Sequence, residues 1–234
     1  MWPSRAILCS GPSQRVSFLW FQSRHGAGSA TDWHYVRRHD AHMRTDNLYQ
    51  LPADLPEPVD DGAARHLAGS ALPPVALPST SGGIVRLDDA AISLAVVYCY
   101  PRTGRPDVMS LGGTERWNAI PGARGCTPQS CAYRDHYQEL RGLGAAVYGL
   151  STQPTDYQRE AVSRLQLPFA LLSDAAGAFS TSLRLPSFEV EGLRLLKRLT
   201  LIVGKGRILH CVYPVFPPDT DAQRAIDWIR AHAA

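Results

Sequence analysis

What this chain of 234 residues has little of narrows its class. Cysteine is scarce, five residues in all, too few for a secreted scaffold held together by disulfides. Reduced thiols in a cytoplasmic setting are the expectation. No apolar run approaches the ~18 residues that a membrane span needs, so no membrane partner is expected. Charge of one sign is missing from most of the chain. Residues 1–42 carry five Arg against two Asp, while residues 43–234 carry nineteen basic and nineteen acidic side chains. That balance leaves no electrostatic case for nucleic acid. No CxxC or HxxxH spacing links Cys99, Cys126, Cys131, Cys211, His136 and His210, so no metal site is expected.

What is present is a hydrophobic share of 44%, enough for a buried core. Residues 1–42 do not read as part of it. Their apolar cluster VSFLWF is too short for a secretory signal. A disordered extension, or an overlong start ahead of Met43, is preferred to an organellar transit peptide. Residues 43–66, rich in Pro and Asp, read as an extended arm, and residues 67–234 as the folded domain. There GIVRLD (83–88) predicts a short strand and AISLAVVYCYP (91–101) a buried central one. AAVYGLST and FALLSD predict two more, and KRLTLIVGKGRILHCVYP two strands joined at GKG. Tyr133, Tyr137, Leu140 and Gly144 form the stripe of one amphipathic helix after Pro128. A second helix over 155–167 has Thr155 as its N-cap, a short third ends at Pro186, and TDAQRAIDWIRAHAA is the last. Some twenty residues after Pro101 show no periodicity. This order implies an α/β fold with a mixed sheet, parallel in its centre and antiparallel at one side.

The stretch GCTPQSC, residues 125–131, sets two thiols at the start of the first of these helices. First-turn N–H groups lack intrahelical acceptors, and the macrodipole places roughly +0.5 charge there. Such a site stabilises a thiolate and lowers thiol pKa values from ~8.5 toward 3.5–7.5. Cys126 occupies it, and Pro128 is tolerated because its missing N–H has no partner in a first turn. Cys126 is the expected nucleophile. Cys131 lies roughly 8.7 Å away, Cα to Cα, on a regular helix, beyond the about 4.4–6.8 Å that a disulfide spans. The pair can bond only when the first turn unwinds. That order of events suits peroxide reduction: a thiolate becomes a sulfenic acid, which condenses with a second thiol, and a dithiol restores both. Cys99 and Cys211 read as small buried hydrophobes.

These residues carry a resemblance. From about 67 to 230 the chain resembles the peroxiredoxins, above all the bacterioferritin-comigratory or Q-type branch. The likeness lies in LPPVALPSTSGGIVRL, the strand ending VVYCYP, GCTPQSCAYRD, YGLST, LPFALLSD and KRLTLIV. It implies a thioredoxin-like three-layer α/β/α sandwich with a mixed central sheet. It also implies a thiol-dependent peroxidase acting on hydrogen peroxide and small organic hydroperoxides. By the family pattern Cys126 is peroxidatic and Cys131 resolves it through an intrachain disulfide. Arg198 holds the thiolate and the peroxide, and Pro101 shields the pocket.

One departure stands out. The family runs from that proline through a threonine to the cysteine within a few residues, whereas here an insertion separates Pro101 from Cys126 and Ala123 stands three residues before the cysteine. Thr103 is then the residue expected to bring the hydroxyl, if the loop folds back, with Trp117 roofing the pocket. Arg124 and Arg134 are near enough in sequence to add positive potential, although solvated charges are the commoner case. No cofactor and no metal are implied. The expected partners are the peroxide and a thioredoxin- or glutaredoxin-like dithiol reductant, with the chain a cytoplasmic monomer or weak homodimer. Two other functions suit the same fold: a thiol–disulfide oxidoreductase, against which the missing CxxC counts, and a non-catalytic redox sensor, for which the insertion leaves room.

Overall fold

In the computed structural model, which describes residue 44 and residues 46–232, a small hairpin of β1 (Ala76–Pro78) and β2 (Ile84–Arg86) leads into β3 (Ala95–Cys99). Along β3, Ala95, Val97 and Cys99 face one side and Val96 and Tyr98 the other, all of them buried. A strand that is apolar on both faces needs cover on both. Helices α1 (Thr114–Asn118), α2 (Cys126–Asp135) and α3 (Tyr137–Gly142) follow, then β4 (Ala146–Ser151), α4 (Thr155–Leu165), β5 (Leu171–Ser173) and α5 (Ala178–Ser182). Two hairpins come next, β6 (Ser187–Val190) with β7 (Leu193–Leu196) and β8 (Leu199–Gly204) with β9 (Arg207–Val212), before α6 (Asp221–His232).

The main sheet has the order β5-β4-β3-β8-β9. Strands β3, β4 and β5 run parallel, while β8 and β9 are antiparallel to their neighbours, the mixed arrangement that the element order implied. Tyr133, Leu140, Leu165 and Ile226 bring α2, α3, α4 and α6 onto the face of Val96 and Tyr98. The opposite face is covered by Phe179 of α5, Leu77 of β1 and Leu67 and Leu72 of the chain before it. Among the described residues no helix is long and apolar enough to cross a membrane. The 1–42 extension and Cys9 lie outside the described residues.

Several local expectations need correction. The helix predicted after Pro128 is two helices, because His136 (φ −94°, ψ 6°) leaves the helical region between α2 and α3. Thr155 is the first residue of α4 and not its cap. Pro154 (φ −60°, ψ 149°) stands in that place, its carbonyl accepting from Gln158 N–H at 3.1 Å. Residues 187–196, for which the sequence pattern predicts no element, form the β6–β7 hairpin. Its turn puts both Glu191 (φ 50°) and Gly192 (φ 72°) in the left-handed region, as a two-residue type I′ turn requires.

The aperiodic stretch after Pro101 contains α1. Trp117 of α1 is buried with Ala123 against Val190 and Leu195 of that hairpin, its ring 6.4 Å from that of Phe188. Arg116 adds an ion pair to Glu191 at the hairpin turn. Burying an indole stabilises by about 2–3 kcal/mol, enough to offset the ordering of only a couple of loop residues. The insertion therefore takes its shape from a floor that lies some seventy residues further along the chain.

Candidate active site

Helix α2 begins at a position that suits glycine alone. Gly125 is the N-cap with φ 107°. A Cβ there would meet Leu51 Cδ2 at 2.9 Å and collide with Pro218, in the turn before α6. The first helical bond runs from Gln129 N–H to Gly125 O at 3.0 Å. The N–H groups of Cys126 and Thr127 thus have no intrahelical acceptor, and Pro128 has no N–H to satisfy. The positive end of the helix lies at the cysteine. Gly125→Ala is expected to cost about 2–5 kcal/mol, from overpacking plus left-handed strain, or about 5–20 °C in Tm for a chain of this size. A thermal melt within about 2 °C of the parent would show that the loop yields freely.

Around the sulfur the polar groups converge from distant segments. Cys126 is 3% exposed and Arg198, which directly precedes β8, 2%. Arg198 Nη2 donates toward Cys126 Sγ at 3.3 Å and is shared with the carbonyls of Gly122 at 3.3 Å and Arg124 at 3.2 Å. Its Nη1 donates to Gln129 Oε1. One guanidinium therefore fixes the loop before the cysteine and the helix after it. Gln129 in turn gives its amide N–H to Asp221 Oδ2 at 2.7 Å, which also accepts from Thr200 Oγ1 at 2.7 Å and Tyr133 OH at 3.0 Å. Burial pushes the Asp221 carboxyl above the usual carboxylate range, against those three hydrogen bonds and the charge of Arg198.

Beside the sulfur is a cavity of about 30 Å³, measured as room for the centre of a water-sized molecule. It holds about two waters. Thr103, Trp117, Arg124 and Thr127 line it with Cys126, and Arg44 and Leu48 close it from the arm. Thr103 is fully buried and donates its hydroxyl to Gln153 Oε1 at 3.0 Å. The loop does fold back, but the proton of Thr103 is committed, so toward the cavity it offers lone pairs only. Thr127 Oγ1, buried in the same cavity, has no hydrogen-bond partner among the described residues. The sequence pattern marks Thr127 only as a residue that opens the helix with Pro128, and it gives Gln129 and Asp221 no role. Pro101 is buried at the end of β3 and is not among the lining residues.

The arginines divide. Arg124 lines the cavity, yet its guanidinium is turned to Asp46 and to the carbonyl of Asn47, and Arg44 shares Asp46. Arg134 bonds Asp135 at 2.8 Å and the carbonyl of Leu165 at 3.0 Å. Cys131 sits further along α2, packed against the same apolar cluster as Cys126. No disulfide joins any of the four described cysteines. Burial pushes the Cys99 thiol well up and the Cys211 thiol to about 12, which keeps both protonated and unreactive. His136 pairs with Glu139 at 3.1 Å and His210 stacks on Trp228 at 5.0 Å, so neither is directed at the cysteine.

Residues 67–226 match the family model described as Redoxin. Over 150 residues the chain is 30% identical to the chloroplastic peroxiredoxin Q of Sedum lineare, a span that covers 64% of this chain and 70% of that one. It is 26% identical over 170 residues to peroxiredoxin Bcp of Escherichia coli K12, covering 71% of this chain and 97% of the relative. Among solved structures, peroxidoxin BcpB of Mycobacterium tuberculosis aligns with a TM-score of 0.59 at 24% identity, over 72% of this chain and 100% of that one. Peroxiredoxin Q of Xanthomonas campestris gives 0.56 at 19% identity, over 70% and 96%. The sandwich is thus the thioredoxin-like one. With the family model spanning more than half of the sequence, the chain belongs to the redoxin family, as a peroxiredoxin of the Q type and so a thiol-dependent peroxidase.

Proposed function

We propose that the chain reduces hydrogen peroxide and small organic hydroperoxides at Cys126. The thiolate attacks one peroxide oxygen, the O–O bond breaks as the S–O bond forms, and the departing oxygen takes a proton from solvent to leave as water or an alcohol. Arg198 stabilises both the sulfur and the charge that develops on the departing oxygen. Thr127 and the lone pairs of Thr103 offer further polar contacts for the peroxide, and Pro101 holds the end of β3 from which the loop of Thr103 departs. The observation that carries this reading is the Arg198 guanidinium at 3.3 Å from a cysteine sulfur, at a helix start, in a cavity with room for little more than two waters.

The sulfenic acid then condenses with the thiol of Cys131 once the first turn of α2 has unwound, releasing water and leaving a disulfide. A thioredoxin- or glutaredoxin-like dithiol, itself oxidised to a disulfide, returns both thiols. The sparse cysteines support a cytoplasmic setting, and a monomer or weak homodimer is the working form we assign. Mass spectrometry after one equivalent of peroxide tests the reading. The expected product has lost two hydrogens and yields one peptide pair linked through Cys126 and Cys131. A protein that emerges with both thiols intact refutes it.

A further inference from the structure

We propose that Asp221 is a positioning residue with two effects: it clasps the helix that carries both thiols, and through Gln129 it aims Arg198. The inference rests on the peroxidase reading, since disulfide formation there requires α2 to unwind. Gln129 and Tyr133 lie four residues apart, on one face of α2, and both donate to the same Asp221 oxygen, at 2.7 and 3.0 Å. The clasp thus grips α2 on either side of Cys131. Its anchor is firm. Asp221 opens α6, whose Ala225, Ile226 and Ile229 are buried in the core, and Thr200 of β8 holds the same oxygen at 2.7 Å.

A packing role does not account for a carboxylate here. Asp221 is fully buried, and among the described residues no cation bonds it directly and its other oxygen, Oδ1, has no hydrogen-bond partner. A buried charge of this kind is costly, and an apolar side chain of similar size usually serves stability as well or better. What an apolar residue cannot do is accept from Gln129 while Gln129 accepts from Arg198. The carboxylate orients the amide so that its oxygen faces the guanidinium.

The two effects have opposite signs in the reaction. Releasing the clasp makes unwinding easier, so the step in which Cys126–SOH and the Cys131 thiol give a disulfide and water becomes faster. Releasing Gln129 lets Arg198 wander, so attack on the peroxide becomes slower. Tyr133→Phe separates them. It removes one donor to Asp221 while the ring keeps its stack on Tyr98, centroids 4.4 Å apart, and Gln129 stays bound.

Rapid-quench alkylation on the full chain, read by mass spectrometry, measures both steps. Tyr133→Phe should raise the rate of disulfide formation about fivefold and leave peroxide attack within about twofold. Asp221→Ala should raise the first by about tenfold or more and lower the second about tenfold. Asp221→Asn, which keeps an acceptor oxygen, should lie close to the parent in both. Amide hydrogen exchange over α2 in the reduced protein gives a readout that needs no peroxide, and it should speed up in Tyr133→Phe and Asp221→Ala but not in Asp221→Asn. Unchanged exchange and unchanged disulfide formation in Tyr133→Phe overturn the proposal, as does an Asn variant that behaves like Ala. A parent protein that forms no sulfenic acid sinks the peroxidase reading instead, and the exchange data still decide the clasp.

Discussion

A Cys126→Ser protein is expected to lose peroxide turnover by about 10⁴-fold or more, whereas Cys131→Ser completes one fast turnover and then stops. The difference follows from what each sulfur meets. Serine at 126 would sit at the same helix start, within reach of the same guanidinium, but its hydroxyl does not ionise near neutral pH and attacks an O–O bond poorly. Removing the thiol at 131 touches neither the guanidinium nor the cavity. Attack proceeds, and the sulfenic acid accumulates until an external thiol reduces it. Dimedone labelling of the Cys131→Ser protein after one equivalent of peroxide should mark Cys126 alone. Peroxide consumption with a dithiol donor provides the rate. Retention of more than about a tenth of the activity by Cys126→Ser would place the nucleophile elsewhere, and burial, which keeps the Cys99 and Cys211 thiols protonated, counts against those two.

Arg198→Ala should lower kcat/KM by about 10²–10³-fold, the usual loss when a preorganised donor to a developing oxyanion is removed. Arg198→Lys should recover little of it. The guanidinium reaches Cys126 Sγ and the Gly122 and Arg124 carbonyls with one nitrogen and Gln129 with the other, and a single ammonium cannot face all of them. The Ala variant also leaves Gln129 Oε1 without its donor, so a stability loss of about 1–3 kcal/mol accompanies the kinetic one. Assays belong at a temperature where circular dichroism shows both proteins folded. A Lys variant within about threefold of the parent would mean that charge alone suffices at this position.

The legible parts of the molecule were those with local causes. AVVYC announced a strand buried on both faces because five apolar residues in a row leave no solvent face. GCTPQSC announced a helix start because Pro and the stripe that follows each have a fixed place there, while the need for Gly125 came only from its contacts with Leu51 and Pro218. The β6–β7 hairpin was not legible. Its turn asks Glu191 for a positive φ, which a glutamate does not advertise, and its strands are only four residues each. The insertion was not legible either, since Trp117 finds its partners in that same hairpin. At the site, the pairing of Arg198 with Cys126 followed from family likeness, but the link from Gln129 to Asp221 joins residues 92 positions apart. No periodicity encodes such a contact. Thr103 shows the converse: its place in the cavity was anticipated, but its bond to Gln153 depends on a loop fifty positions away.

Trp117 has a use beyond packing. Its indole is clamped by the hairpin and forms one wall of the cavity that holds the Cys126 sulfur. Oxygen added to that sulfur, or its withdrawal into a disulfide, would change the polarity of a cavity that the indole helps to line. Intrinsic fluorescence measured before and after one equivalent of peroxide is therefore expected to change in the parent protein and to stay constant in Trp117→Phe.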